Sequence, residues 1–415
     1  MRKKVLVKAP ILTQSGYGEH SRFLLRALRS REDIFDIYAQ NINWGQTNWL
    51  WEDNDERRWF DFILEKTIFH AQNKGQFDVS LQVTIPNEWE KIAPINIGLT
   101  AGIETTRVAP QWVEKSHIVD KIITISEHSK NVYANTTYEA QNQNTGEVIN
   151  DFRVQCPIEI VHYPAKQREA ADIEFDFETD FNFLAVAQWG PRKNLENTIK
   201  WFVEEFIDQE VGLVVKASKA KNCVYDKIFC ENNLKALLSR YPQRKCKVYL
   251  LHGFMTEEEM TALYRHEKIK AYVSLSHGEG FGLPIFESAY NGLPIVAPAW
   301  SGHVDFLYMD QKGKDGKTKK KPMFATVDYS LVPIPKQAVW DGVLVKESMW
   351  CEPEQGSYKM RLRETYKDYG RFKSRATKLK SWVEENFEES KQYQVMINAI
   401  IDEEWEQESQ TVEVV

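Results

Sequence analysis

The densest run of residues able to do chemistry reads Ser276-His277-Gly278-Glu279-Gly280-Phe281-Gly282-Leu283-Pro284-Ile285-Phe286-Glu287. Its three glycines open the backbone to close approach by a ligand. Pro284 suits the first turn of a helix, where its missing N–H costs nothing. Asn291-Gly292 then signals the end of that helix. A glycine loop running into a helix N-terminus offers free N–H groups and a positive dipole, a seat for phosphate or sugar hydroxyls. Two carboxylates flank the loop. Glu287 stands in the first turn, and a carboxylate accepts two hydrogen bonds side by side, the pattern that adjacent ribose hydroxyls present. Glu279 precedes the turn and faces the loop. Acidic side chains also gather at helix starts for dipole reasons alone, so the pair by itself selects no ligand.

Such a loop needs strands to carry it. Short β-branched runs alternate with helical patterns along most of the chain. The first half offers Lys4–Ala9, Ile34–Ile42, Asp78–Thr84, Ile95–Leu99, Lys121–Ile125 and Glu159–Tyr163 as strands. The second half offers Phe183–Ala187, Gly212–Ala217, Lys247–Leu251, Ala271–Leu275 and Pro294–Ala297. Glu19–Arg29, Leu195–Phe206, Asn233–Ser239 and Glu257–Arg265 read as helices between them. This alternation predicts an α/β chain of parallel sheets covered on both faces, in two doubly wound domains. The charged stretch Lys166–Asp180 reads as the linker, which sets the domains at 1–168 and 169–385. Phe372–Trp405 reads as helical and amphipathic, and 406–415 as a flexible tail. Ligands of such sheets sit beyond the carboxyl ends of the strands, where the Glu279 loop falls.

Composition narrows the classes. The chain has 415 residues, 53 Lys and Arg against 60 Asp and Glu, and a net charge of −7, which excludes an evenly basic surface. Its five cysteines form no C-x-x-C pair, so neither a disulfide framework nor a zinc knuckle is indicated, and a reducing, cytoplasmic setting is expected. Val5-Leu6-Val7 is too short for the apolar core of a signal peptide. No run is long and apolar enough to span a membrane.

The whole string resembles the signature of the retaining, nucleotide-sugar-dependent glycosyltransferases of glycosyltransferase family 4, in which a Glu, seven residues and a second Glu enclose G-F-G-L-P. The resemblance extends along the chain. Gly190-Pro191-Arg192-Lys193-Asn194-Leu195 is similar to the family's phosphate loop. Asp120–Ser129 is similar to its strand followed by Ser-x-x-Ser, and Val296–Gly302 to the turn after the two-Glu helix. The resemblance implies the GT-B fold: two Rossmann-like domains facing across a cleft, the first on the acceptor side and the second on the donor side. It implies that 386–405 is a C-terminal helix returning to the first domain. Glu287 is then expected to hold the ribose, and Glu279 to orient hydroxyls of the donor sugar. The N–H groups around Gly280, Phe281, Gly282 and Leu283 are expected to line sugar and diphosphate. Lys193 and Arg192 are expected to neutralise the departing diphosphate, and Gly16 and Gly18 of Ser15–Glu19 to meet the donor phosphate from the first domain. Gln188 stands where the family often has Arg, so Arg192 or Lys216 is expected to supply that charge. Thr100–Thr106 lacks a His that many relatives carry, which leaves Glu104 as the acceptor or sugar contact.

The reaction so implied is hexosyl or pentosyl transfer from a nucleotide diphosphate sugar, UDP by preference, to an acceptor hydroxyl with retention. No catalytic base and no metal are expected. Asp53-Asn54-Asp55 spells the D-x-D that holds a metal in the other major glycosyltransferase fold, but here it reads as a solvated turn. Two features bear on the acceptor. Asn43–Trp51 is rich in Trp, with Trp44 the candidate contact, although such rings pack cores as readily as they stack on sugars and bases. Lys312–Lys321 reads as a mobile, Lys-rich loop, with Lys319 and Lys320 able to meet the phosphates of a polyanionic acceptor. The acceptor is thus a saccharide or other glycoconjugate. The alternative is a hydroxymethylated pyrimidine in DNA, since Gln82–Thr105 also resembles phage-encoded glycosyltransferases. A non-catalytic nucleotide-sugar-binding relative is a third reading, against which intact Glu279, Glu287 and Lys193 count.

Overall fold

The computed structural model describes residues 2–141, 146–312 and 317–401. Lys314 and the tail 406–415 lie outside the described residues. The chain forms two compact units. One is Met1–Pro164 with Val339–Ser348 and the chain from Glu389, and the other is Ala165–Ala338 with Met349–Glu388.

Each unit is built on a six-stranded parallel sheet. The first contains β1 (Lys3–Ala9), β2 (Phe35–Asn41), β3 (Val79–Val83), β4 (Ile95–Leu99), β5 (Lys121–Thr124) and β6 (Ile158–Ile160). Their order across the sheet is β2-β1-β3-β4-β5-β6. The second contains β7 (Asn182–Gln188), β8 (Gly212–Ser218), β9 (Lys247–Leu251), β10 (Ile269–Val273), β11 (Ile295–Pro298) and β12 (Ala325–Val327). Their order is β9-β8-β7-β10-β11-β12. Both are doubly wound, Rossmann-like α/β sheets. Continuous apolar runs make this possible: Val5, Leu6, Val7 and Ala9 are all buried, as are Leu213, Val214 and Val215, because helices cover both faces. The strand order reverses between β1 and β3, and between β7 and β10. At such switch points the loops after the two strands part and leave a crevice.

Several boundaries differ from the sequence reading. Lys166–Asp180 is not a free linker. The first unit's main run ends at Pro164, Phe177 is buried, and Lys166 and Arg168 both pair with Glu257, at 2.5 and 2.8 Å. The helix expected over Asn233–Ser239 begins at Val224. There Asp226 Oδ2 accepts the N–H groups of Ala220, Lys221 and Asn222 at 2.7, 2.6 and 3.0 Å, which ties the turn to the first helical turn.

Phe372–Trp405 is not one helix. Tyr369–Asn386 ends where Phe387 O accepts the N–H of Ala165 at 2.7 Å, and Glu389–Ile400 follows. The latter belongs to the first unit, where Tyr393 stacks on Phe23 of the helix Gly16–Arg29 with ring centroids 6.0 Å apart. Val339–Ser348, expected in the second domain, also belongs to the first. Its Val343 is buried with Trp89 and Trp112, and Asn87 Nδ2 donates to Gly342 O at 2.9 Å. Lys312–Lys321 is not a plain loop: Tyr308–Lys312 and Thr318–Pro322 pair as an antiparallel ribbon. Among the described residues, no helix is long and apolar enough to cross a membrane.

Candidate active site

The switch point of the second unit gathers the sequence's principal candidates. The loop after β7 carries Arg192 and Lys193 on a short 3-10 turn, Pro191–Lys193. The loop after β10 carries Glu279. Lys193 Nζ donates to both carboxylate oxygens of Glu279, at 2.6 and 2.8 Å. Arg192 donates to Gly278 O at 2.7 Å and reaches Glu279 Oε2 at 3.3 Å. The N–H of His277 donates to Arg192 O at 2.8 Å, which ties the two loops together through the backbone. Glu279 is 7% exposed. Burial would raise its pKa. The charges of Lys193 and Arg192, with hydrogen bonds from Lys193 and Ser276, outweigh that and hold it at about 2. A buried carboxylate thus stays ionised beside two fixed cations.

A third segment, between β11 and the Lys ribbon, clamps this loop. Ser301 Oγ accepts the Glu279 N–H at 2.9 Å, and Glu279 O accepts the Gly302 N–H at 2.9 Å. Gly302 is obligatory there, because a Cβ would stand 1.8 Å from Gly280 O. Ser301 itself sits at φ +79°, unusual for a residue with a Cβ. His303 is buried behind it, bonded to Pro298 O at 2.7 Å, and burial lowers its pKa. His277 is buried against Trp350, ring centroids 4.3 Å apart, with Nδ1 2.6 Å from Cys351 O; burial lowers its pKa too. Ser301, His303 and His277 were missed by the sequence reading. His277 lies within the quoted motif and Ser301 within the Val296–Gly302 turn, but residue type alone marks neither for a role.

Gly282, at φ +89°, caps the helix Leu283–Tyr290, so a glycine is required at that step. Phe281 turns its ring into the core against Phe286 and Phe306, with centroids 5.0 and 4.9 Å away. Glu287 lies in the first turns of that helix. Its Oε2 accepts the hydroxyl of buried Tyr264 at 2.7 Å, which fixes one side of the carboxylate. Lys216, at the carboxyl end of β8, is bonded to the Gly253 carbonyl, and burial lowers its pKa against the opposing charge of Glu259. Beside it opens a hollow of about 620 Å³, lined in part by His252, Phe254, Met255 and Glu259.

In the first unit, the helix Gly16–Arg29 starts in the switch-point loop after β1. Ser15 Oγ caps it by accepting the Gly18 N–H at 3.0 Å. Gly16 has open space around it, whereas a Cβ on Gly18 would stand 2.1 Å from Thr13 O, so the two glycines do different jobs. Trp44 and Glu104 converge on Tyr17. The Trp44 ring lies 4.1 Å from the Tyr17 ring, and the Glu104 charge adds to burial in raising the Tyr17 pKa. Tyr17 also bonds Thr100 Oγ1 at 2.9 Å. Asp53-Asn54-Asp55 is solvated, as expected, and also starts a helix: Asn54 caps Asp55–Gln72, and exposed Asp53 and Asp55 both pair with Arg58, at 2.6 and 2.9 Å. Lys319 and Lys320 stand exposed on the ribbon.

Residues 166–319 match the family model of glycosyl transferases group 1, which covers the second unit's switch point. No curated protein matches the chain. Among solved structures, sucrose-phosphate synthase from Thermosynechococcus elongatus aligns with 96% of this chain and 98% of its own, at 12% identity and a TM-score of 0.59. HepE from Anabaena, solved in complex with UDP-glucose, aligns with 96% of this chain and 99% of its own, at 12% identity and a TM-score of 0.53. A TarM mutant from S. aureus, in complex with fondaparinux, α-GlcNAc-glycerol and UDP, aligns with 78% of this chain at 14% identity and a TM-score of 0.46. This chain spans 55% of the length of that protein. At 12% identity the likeness to sucrose-phosphate synthase and HepE is one of fold, and the fold is GT-B.

Proposed function

We propose that the protein is a retaining glycosyltransferase of family 4, moving a hexosyl or pentosyl group from a UDP-sugar to an acceptor hydroxyl. The observation that carries this reading is the Glu279–Lys193–Arg192 cluster, held at a switch point beside the glycine-capped helix Leu283–Tyr290. Fixed cations aimed at developing negative charge usually contribute more than any other device to catalysis of this kind. In this reading Lys193 and Arg192 meet the diphosphate as the bond from its oxygen to the anomeric carbon breaks. Glu279, kept ionised, accepts from hydroxyls of the transferred sugar. Glu287, steadied by Tyr264, accepts the two ribose hydroxyls.

The nucleotide base is assigned to the hollow lined by His252, Phe254 and Met255, which follow β9. The matched family model and the UDP-glucose bound by HepE support the choice of donor. The first unit's switch point, with Gly16 and Gly18 for phosphate and Glu104 and Trp44 around Tyr17, is assigned to the donor's far side and the acceptor. No protein nucleophile, base or metal is assigned. The leaving phosphate takes the acceptor proton as the new glycosidic bond forms on the same face.

The test is a panel of nucleotide sugars incubated with the protein, followed by NMR of the released or transferred sugar. The expected result is hydrolysis of at least one UDP-sugar with the anomeric configuration kept. Release of an inverted sugar would remove the retaining mechanism, and failure to bind any nucleoside diphosphate would remove the donor assignment.

A further inference from the structure

The ribbon formed by Tyr308–Lys312 and Thr318–Pro322 has no part in the donor site, yet it is the most basic element of an acidic chain. Its second strand reads Thr318-Lys319-Lys320-Lys321-Pro322, and every residue of it is exposed. This strand pairs on one edge with Tyr308–Lys312, whose Tyr308, Met309 and Gln311 are half-buried, so the ribbon rests on the core through its first strand and shows its lysines to solvent. Facing these lysines are Gln311, Asp310 and Met309, so the paired strands carry one acid against them, and the sequence between the strands adds Asp315. The arm is anchored at both ends. Phe306 and Leu307 are buried before it, and Met323 and Phe324 after it. Gln311 Nε2 contacts Met323 Sδ at 3.3 Å and steadies its base. Ser301 and Gly302, which clamp Glu279, lie just ahead in the chain, so the arm springs from the wall of the candidate site.

From this geometry we infer that the ribbon grips the phosphate backbone of double-stranded DNA. The major groove of B-form DNA admits a two-stranded ribbon, whereas the deep, narrow major groove of duplex RNA does not. Lys319 and Lys321 share one face and stand about 7 Å apart along the strand. Successive phosphates on the winding path of one DNA strand stand about twice the 3.4 Å axial rise apart, so same-face lysines match neighbouring phosphates. Lys320, on the other face, reaches the opposite wall of the groove. An anionic lipid surface is the poorer fit, because Thr318–Lys321 offers no apolar side chain to enter it. Lysines are point charges, and their contacts fix position on the duplex without reading sequence. Taken together with the glycosyl-transfer reading, on which this consequence rests, the arm makes DNA the carrier of the acceptor hydroxyl.

The experiment is fluorescence anisotropy of a labelled 24-base-pair duplex with the full chain at salt concentrations from 50 to 200 mM, comparing wild type with the triple variant K319S/K320S/K321S. Circular dichroism and melting confirm that both are folded. The wild type is expected to bind and to lose roughly 100-fold in affinity across that range, and the variant to bind weakly and lose under about 5-fold. No binding by the wild type at 50 mM, or an unchanged salt slope in the variant, overturns the inference. Capture of the wild type by phosphatidylserine vesicles but not by the duplex overturns it in favour of a membrane. The two readings fail separately: a chain that binds duplex through the ribbon but hydrolyses no nucleotide sugar loses only the transferase assignment. A chain that hydrolyses donors but never binds duplex loses only the arm.

Discussion

The backbone N–H of Glu279 donates to the hydroxyl of Ser301 at 2.9 Å, while Ser301 is held at φ +79°. A backbone strained at a residue with a Cβ, whose side chain satisfies a buried N–H of the principal acid, is the mark of a positioning residue. Ser301→Ala removes the acceptor and keeps the strain, so it is expected to cost about 1–3 kcal/mol of stability. Ser301→Gly removes the same acceptor but relieves the strain, recovering about 1 kcal/mol. Turnover is expected to drop roughly tenfold in both, with KM for the donor little changed, because both leave the Glu279 loop unpinned. Melting temperatures and initial rates of the two variants, measured side by side, check this. Full activity in Ser301→Gly would make strain rather than the hydroxyl the operative feature.

The Glu279–Lys193 pair is buried enough for its loss to be felt in stability as well as rate. Lys193→Ala leaves an ionised carboxylate with Arg192 alone at 3.3 Å, and breaking a buried pair in this way costs roughly 3 kcal/mol. The double variant K193A/E279Q is expected to regain part of that, because no orphaned charge remains. Turnover falls at least about 100-fold in both. Glu279 also sets an acid limit. Its folded pKa of about 2 lies below its unfolded value, so its contribution is full above about pH 4.5. That contribution is lost as pH falls toward 2. Urea unfolding of wild type and Glu279→Gln between pH 5 and pH 3 checks it: the wild type loses stability relative to the variant on acidification.

Tyr264 holds Glu287 from beneath, with its hydroxyl 2.7 Å from Oε2. Tyr264→Phe leaves the ring in the core and removes one bond to a charged acceptor, a bond worth about 1.5–3 kcal/mol. UDP affinity by calorimetry is expected to fall roughly tenfold, as part of that energy goes into orienting Glu287. Glu287→Ala is expected to weaken binding further without unfolding the protein. Unchanged UDP affinity in Tyr264→Phe would show that the carboxylate is oriented by other contacts.

What could be read from the sequence was what is written locally. The string from Ser276 to Glu287 combines glycines, a proline and acids whose conformational demands point to one loop-to-helix geometry, and the structure has it. Strands buried on both faces read as continuous apolar runs. Ser301 escaped because a positive φ at a non-glycine leaves no trace in residue type. Lys216 enters through the resemblance, as a replacement for the charge missing at Gln188, and its bond to the Gly253 carbonyl is not written in the sequence. The ribbon and Val339–Ser348 escaped for a related reason. The polar strand Thr318–Pro322, exposed on both faces, shows no alternation, and a segment that joins the other unit's core does so through a few residues such as Val343. The break at Phe387 is marked by the resemblance, which implies a separate terminal helix from 386, and not by amphipathic periodicity, which runs through both helices.

His20 provides a test of the first unit that does not involve the donor site. It is fully buried in the helix Gly16–Arg29, between Phe23 and Tyr163, and neither ring nitrogen has a hydrogen-bond partner. Burial lowers its pKa to about 4, with the Glu19 charge opposing. The unfolded chain, titrating near 6.5, takes up the proton first, so stability falls as pH drops from about 6.5 to 4 and is unaffected above that window. The loss by pH 4.5 is about 2.5 kcal/mol, equivalent to roughly 5 °C or more in melting temperature. His20→Leu keeps the site apolar and has no proton to gain. Its melting temperature is therefore expected to fall less than that of the wild type between pH 7 and pH 4.5, whichever protein is the more stable at neutral pH. Parallel melting curves over that range would mean that the acid sensitivity of this unit resides in its carboxylates instead.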